Sequence, residues 1–510
     1  MYKRQVKYTF LTLLSGWLAI GCTSNFEEYN TDPYAPQEAD PNMLLPTMVE
    51  ALMYVQQNDS QMVDQMVGAL GGYLTCSNRW GGMNFDTFNP SADWNQQAYN
   101  LIFQDIYPNL FKISEFSQES GHWWAIANIV RAAAMIRVTD TYGPIPYSQV
   151  KDGLMYVPYD SHEEVYTNIF NDLQNAAKTL SDYATQYPSS KPFTNDAIYG
   201  GDYAAWARLA NSLSLRIAMR TGNEEGVKTA IANQVGLITT NAQNAMVNPG
   251  VQGNPYQLAS ASWGDLRVSS SITDYMNGYK DPRRAAYFTK CSFPGYTDQY
   301  IGMRSGEAQF DKANVSSYSL PNLTAASYLP YFVAAETQFL LAEAALKGWT
   351  SGEAKDYYEA GIRLSMEQNG VSGDDVTNYI ADAESTPADH TGDPRGATYN
   401  YDRTTTVKIA WDAETTNEKH LEQIITQKWI ANYPMGIEAW AEYRRTGYPE
   451  LAPSLDNLST DGVDTRRGAR RLVYPISERD YNTTNYQNAV ANLLGGQDTQ
   501  AKDLFWAKKD

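Results

Sequence analysis

Apolar residues recur every three or four positions along much of this chain, and the segments that carry the repeat come in pairs. The clearest pair lies between Tyr331 and Gly370. Phe332, Ala335, Phe339, Ala342 and Leu346 fall on one helical face, and Gly348 marks the end of that helix. Thr350 stands three residues before Glu353, the spacing of a capping box, which predicts a second helix with Ala354, Tyr357, Gly361 and Leu364 turned inward. The small residues Ala342, Ala345, Ala354, Ala360 and Gly361 let the two helices approach closely, and Asn369-Gly370 stops the second. A short hairpin of this kind is the unit of a tetratricopeptide-type array.

The same pattern predicts helix over most of Met43 to Tyr73, from Leu44, Met48, Leu52 and Val55 and then Met62, Met66 and Leu70. It predicts a hairpin from Tyr99–Phe116 and Trp123–Tyr142. A third begins at Ser161, with Glu164 at capping-box spacing, and returns over Asp202–Arg220. The fourth has Asn417 as a cap, Leu421, Ile424, Ile425 and Trp429 facing inward, a stop at Pro434, and a return over Met435–Arg445. The period is lost over Leu74–Asn95, over Thr221–Leu329 and over Glu384–Asn417, where Gly, Pro, Asn and Ser are set among aromatic rings. The tail from Leu451 is turn-rich and holds the one local basic cluster, Arg466, Arg467, Arg470 and Arg471. The predicted fold class is therefore mainly α: four tetratricopeptide-like helical hairpins forming a scaffold with long irregular loop insertions. Specificity is expected in the insertions, above all in the variable region 221–329.

The amino terminus changes the picture. A basic start, an apolar run of about a dozen residues and a small-residue cleavage site read as an export signal, too short to span a membrane. Ala19-Ile20-Gly21-Cys22 resembles a bacterial lipobox, with Cys22 as the lipidated first residue. The expected organisation is a leader over 1–21, a lipidated polar tether over 22–41, and a single domain over 42–510. With 39 basic and 58 acidic residues the net charge is -19, which repels nucleic acid and anionic membrane surfaces at long range. The 37 tyrosines and 12 tryptophans supply rings that stack on flat apolar faces, such as those of sugars. Cys76 and Cys291 allow one disulfide or two free thiols, and neither has metal-ligand spacing. The four histidines are scattered, no phosphate-cradling glycine loop or nucleophile elbow is present, and Asp456–Gly468 lacks a calcium-loop pattern, so no metal is indicated.

Several stretches together resemble the SusD/RagB family, surface lipoproteins that capture glycans for an outer-membrane transporter. These are Phe26–Pro33, Asp140–Tyr147, Asp281-Pro282-Arg283, Ala334–Trp349, Gln427-Lys428-Trp429 through Arg444–Pro449, and Arg471–Pro475 with Glu478 and Asn482. The resemblance covers nearly everything after Cys22. It implies a non-catalytic glycan-binding protein with no required cofactor, anchored by lipid to the outer membrane and facing the exterior, with a SusC-like TonB-dependent transporter as partner. It also implies that Trp429, Arg444 and Arg445 serve the scaffold. By position it places glycan contacts in the loop before the first helical pair, at Asn78, Trp80 and Asn84, and after the Asp-Pro-Arg motif, at Tyr296 and Tyr300.

The residues themselves support some of these positions. Trp80 lies in a glycine-rich loop with little helix face to bury against, although a ring there can also anchor the loop to the core. Tyr296 follows Pro294-Gly295 and is open to the same two readings. Trp263, with Asp265 and Arg267 close by, offers a ring beside hydrogen-bonding groups; the two charged residues could equally form a surface ion pair. Trp94 reads as packing. Two other functions remain at this level: a secreted glycoside hydrolase, which needs two carboxylates roughly 5 to 10 Å apart, and a helical-repeat adaptor that binds peptide or protein.

Overall fold

The computed structural model describes residues 40–154 and 156–508. The leader, Cys22, the Phe26–Pro33 motif and all but the end of the tether lie outside them. The main helices are α1 (Pro41–Glu50), α2 (Ala92–Ser117), α3 (Gly121–Tyr142), α4 (His162–Gln186), α5 (Tyr203–Thr221), α6 (Glu224–Ala232), α7 (Ser270–Gly278), α8 (Ala334–Leu346), α9 (Ala354–Gln368), α10 (Asn417–Ala431), α11 (Gly436–Thr446) and α12 (Thr483–Asn492), with shorter helical turns between. The chain is mainly helical, as the periodicity predicts. The strands are short: β1 (Leu74–Cys76), β2 (Ala245–Val247), β3 (Leu266–Val268) and β4 (Leu329–Phe332), paired antiparallel as β1 with β3 and β2 with β4.

Helices α2 and α3, α4 and α5, and α8 and α9 form close antiparallel pairs, and α3 also packs along α4. From Ala125 to Tyr142 every residue of α3 except Arg131 is buried. A helix buried on all sides must be enclosed, and α1, α2, α4, α5 and α11 enclose it, with its buried Arg137 and Asp140 ion-paired. Ser161 opens α4 through the expected capping box, its Oγ accepting from Glu164 N (3.2 Å) while Glu164 Oε2 accepts from Ser161 N (2.9 Å). Helices α10 and α11 form the fourth pair, but each has a larger partner elsewhere: α10 lies on α8 and α9, and α11 on the turn Ala69–Gly71 and on α3. That last contact requires glycine, because a Cβ on Gly71 would stand 2.4 Å from Gly436 O.

Local details depart from the sequence expectations. Phe332 belongs to β4, paired with Ala245 and lying under the Arg216 guanidinium (4.6 Å), so α8 starts later, at Ala334. The Thr350–Glu353 capping box does not form. Gly352 adopts φ 96, a left-handed conformation that breaks the chain just before the helix, and Glu353 becomes the cap position without a side-chain bond. The inward face of α9 is Tyr358, Gly361, Ile362, Ser365 and Met366; Tyr357 and Leu364 are half-buried. Phe339 sets this rotation, since its ring occupies the space that a Cβ on Gly361 would need (2.7 Å). Thr416, not Asn417, caps α10, its side chain accepting from Lys419 N. The helix expected over Met43–Tyr73 stops at Glu50 and resumes as a short turn with a π-helical segment, Gln61–Met66. Asp64 holds the break: it is buried, accepts from Tyr54 N (3.2 Å) and pairs with Arg137.

Charged residues hold the helical layers together. Arg216 makes a two-pronged pair with Glu336 (2.8 and 2.7 Å), and Arg445 does the same with Glu343 (2.8 and 2.7 Å) while also meeting Glu442. Burial alone would raise the carboxyl of Glu438, but Arg216, Arg220 and Lys428 outweigh it and hold it below the ordinary range. Arg283 closes on Asp281 (2.9 and 2.6 Å) with no exposure of either side chain. Arg444 donates to Asp140 O (2.7 Å) and lies on the Trp440 ring (3.6 Å). Trp429 Nε1 donates to Gly71 O (2.8 Å). Three arginines of the tail's basic cluster are paired within the fold: Arg467 and Arg470 meet Asp503, and Arg471 meets Asp498.

Candidate functional site

The β1–β3 ladder decides which loops meet. Leu74 faces Val268, Thr75 faces Arg267 and Cys76 faces Leu266, so in this antiparallel register the residues after β1 lie beside those before β3. The loop carrying Asn78 and Trp80 is thereby brought against Trp263-Gly264-Asp265. Ser77 N donates to Asp265 O (2.8 Å) and Ser77 Oγ to Gly264 O (3.0 Å), extending the ladder past the strand ends.

Asp265 is the hub. Its Oδ1 accepts from Asn78 Nδ2 (2.9 Å) and Lys312 Nζ (2.6 Å), and its Oδ2 from Gln61 Nε2 (3.0 Å). Four separate segments are thus fixed by one buried carboxylate. Of the two readings open for Asp265 and Arg267, the surface ion pair does not form: both residues are buried, and Arg267 donates to the carbonyls of Ser260 (3.1 Å), Leu266 (2.7 Å) and Ser316 (3.3 Å).

Trp80 stands at φ 39 and Phe88 at φ 60, left-handed conformations costly for bulky residues. The loop is stiffened enough to hold them. Trp80 N donates to Asn78 Oδ1 (3.3 Å), and Asn89 takes Thr87 Oγ1 (2.5 Å) while donating to Gly82 O (2.8 Å). The Trp80 ring is half-exposed and stands edge-on to Trp94, 5.2 Å between centroids. One edge of the Trp80 ring is thus anchored against Trp94, and part of the ring meets solvent. Asn84 is buried and points its Nδ2 at the carbonyls of Asn78 and Arg79 (3.5 Å each), which makes it a brace of the loop. Trp263 is half-buried at the end of the π-helical turn Leu258–Ser262.

Tyr296 and Tyr300 lie on a separate turn. Cys291 N donates to Gln299 O (2.9 Å) and Cys291 Sγ to Tyr296 O (3.1 Å), closing it. Tyr300 is engaged, its carbonyl accepting from Asn277 (2.7 Å) and its ring lying under Arg284 (5.8 Å) and edge-on to Phe288. The half-buried Tyr296 ring has no ring partner, and its hydroxyl has no hydrogen bond, among the described residues. This turn joins the rest through Ser292 N to Ser317 O (2.8 Å), on the segment that also carries Lys312. The structure thus unites Asn78, Trp80 and Trp263 around Asp265 and puts Tyr296 on an adjoining turn. Cys76 and Cys291 are both buried and unpaired.

The carboxylates of this region are committed to structure. Asp265 is saturated by three donors; Asp86 is buried, accepts from Thr75 Oγ1 (2.6 Å) and Cys76 N (2.8 Å), and has its carboxyl pushed up by burial. Sequence reasoning did not single out Gln61, Lys312, Asn89 or the bracing role of Asp265. No local signal marks Gln61, Lys312 or the role of Asp265, because each acts on a residue distant in the chain, whereas Asn89 braces its own loop through Thr87 and Gly82.

A mainly helical scaffold carries the aromatic and amide loop at 77–90. The family model described as SusD-like, Susd and RagB outer membrane lipoprotein, matches residues 25–507, and the chain belongs to that family. It is accordingly a non-catalytic protein of an outer-membrane lipoprotein family. Among solved structures it is similar to a SusD homolog from Bacteroides uniformis (38% identity, 92% of this chain and 100% of that one, TM-score 0.87). It is also similar to one from Bacteroides ovatus (37% identity, 92% and 99%, TM-score 0.85). A chitin-binding SusD homolog from Flavobacterium johnsoniae shares 33% identity over 92% of this chain and 99% of that one, with a TM-score of 0.85. No curated protein matches it. No helix among the described residues is long and apolar enough to cross a membrane.

Proposed function

We propose that this protein binds an oligosaccharide or polysaccharide at the Trp80 loop and delivers it to a TonB-dependent transporter of the SusC type. The carrying observation is the half-exposed Trp80 ring, held in a costly backbone conformation beside Asn78 and Trp263 by the Asp265 hub. Preorganised rings and amides of this kind suit a sugar, whose C–H face stacks while its hydroxyls take hydrogen bonds. Tyr296, with its free hydroxyl, extends the surface; Tyr300 and Asn84 support it from behind. The chitin-binding relative supports a glycan as cargo.

In this reading residues 1–21 are removed on export, Cys22 carries the lipid, residues 22–41 form the tether, and 42–510 form one domain that faces the cell exterior. The lipid-free protein should retain at least one member of a glycan array of chito-, malto-, xylo- and β-gluco-oligosaccharides. Failure of every glycan to bind, together with co-purification with a transporter barrel, would replace this reading with that of a protein-binding adaptor.

A further inference from the structure

A groove of about 430 Å³, open on one side, runs between α3 and α4 and shares no residue with the Trp80 loop or the 221–329 insertion. Its size falls within the range of small-ligand sites. Trp124 lines it with a half-exposed ring. Asn128 lines its depth. That side chain is 7% exposed and gives Nδ2 to Trp124 O (2.9 Å), yet its Oδ1 accepts no hydrogen bond among the described residues. An amide oxygen without a donor, on a side chain more than nine-tenths buried in the wall of a groove, is an acceptor open to a ligand or water.

Its neighbours continue the chemistry. Asp172 Oδ2 takes Arg131 Nη2 (2.6 Å) and Tyr147 Oη (2.7 Å), which leaves Oδ1 open. Asn175 is exposed and makes no side-chain hydrogen bond. At the groove's end the cap residue of α3, Ser120, gives no side-chain bond to the first helical amides, so backbone donors are present there too. A ring face, two free acceptors, a free amide and unused donors match a polyhydroxylated ring. With a carboxylate at its centre in a chain of net charge -19, the groove disfavours anions.

We propose that this α3–α4 groove is a second carbohydrate-binding site, in which a neutral sugar stacks on Trp124 and bonds through its hydroxyls to Asn128, Asp172 and Asn175. The inference rests on the reading of the protein as a glycan binder but not on the Trp80 loop being its site. A second site on one chain would raise retention of a long polysaccharide through effective concentration.

Titration calorimetry of the purified protein with chito-, malto- and xylo-hexaoses tests it. The expected result is two sites, one of which survives Trp80→Ala and weakens at least tenfold in Asn175→Arg, an exposed helix position whose change leaves the fold intact. Trp124→Phe, which keeps packing, should weaken the same site by a smaller factor. A single site insensitive to Asn175→Arg and Trp124→Phe overturns the groove and leaves the loop site standing. Binding abolished by Asn175→Arg but indifferent to Trp80→Ala keeps the groove and removes the loop site. No binding of any hexaose overturns both.

Discussion

Asn78 donates its side-chain amide to Asp265 at 2.9 Å across 187 residues of chain. The same carboxylate holds Gln61 and Lys312, so removing it strands three donors at once. Asp265→Ala is expected to cost about 1–3 kcal/mol, the penalty of orphaned polar groups, and to free the loop at 77–90. Urea unfolding reads the first effect and limited proteolysis the second. Unchanged cleavage of the loop would show that Asp265 does not brace it.

Trp80 and Phe339 separate binding from stability. Trp80 is half-exposed with one ring neighbour, whereas Phe339 is fully buried against Gly361. Phe339→Ala should cost about 3–5 kcal/mol, and Trp80→Ala far less while weakening glycan binding. Equal thermal destabilisation by the two changes would make Trp80 a core residue.

The Arg445–Glu343 pair tests the charged seam between helices. Glu343→Gln leaves Arg445 its second carboxylate, Glu442, and should cost about 1–3 kcal/mol, whereas Arg445→Met takes the guanidinium from both buried carboxylates, Glu343 and Glu442, and should cost about 3–5 kcal/mol. Denaturant midpoints of the two variants decide it. Equal costs would show that Glu442 does not share the Arg445 charge.

His390 lies between Asp274 (3.1 Å) and Asp393 (3.0 Å) and is 3% exposed. Burial disfavours its charge, but hydrogen bonds and charges from both aspartates outweigh this and raise it from 6.5 to about 9. The folded value lies above the unfolded one, so its contribution is complete below about pH 6.5 and is lost as pH rises through about 9. The gap in urea midpoint between the wild type and His390→Gln should therefore shrink between pH 6 and pH 10. A gap that stays constant would show that His390 is not protonated in the folded protein.

Cys22→Ala should move the protein from the membrane fraction to a soluble one, because one lipidated residue is the expected anchor. Continued membrane association in that variant would refute lipidation as the attachment.

Much of the scaffold was legible because helix signals are local. The α4 capping box, the α2–α3 and α4–α5 pairs and the scaffold roles of Arg444, Arg445 and Trp429 all follow from spacings within a few turns or from family motifs. The errors fell where a distant partner overrode a local preference. Phe332 went to β4 because residues 245–247 pair with it, and α9 turned on its axis because Phe339 takes the Gly361 notch. Thr350 lost its cap to the left-handed Gly352.

By itself the sequence determined the mainly helical class, the family and the ring-bearing loop around Trp80, since each is written in short-range pattern. Tertiary structure alone decided that Trp80 and Trp263 share a neighbourhood, that Asn84 and Tyr300 support rather than face outward, and that Asp265 serves neighbours instead of Arg267. The reason is physical. Three-residue strands leave no readable period, and the partners of a buried carboxylate are chosen by which loops the folded chain brings within hydrogen-bond reach.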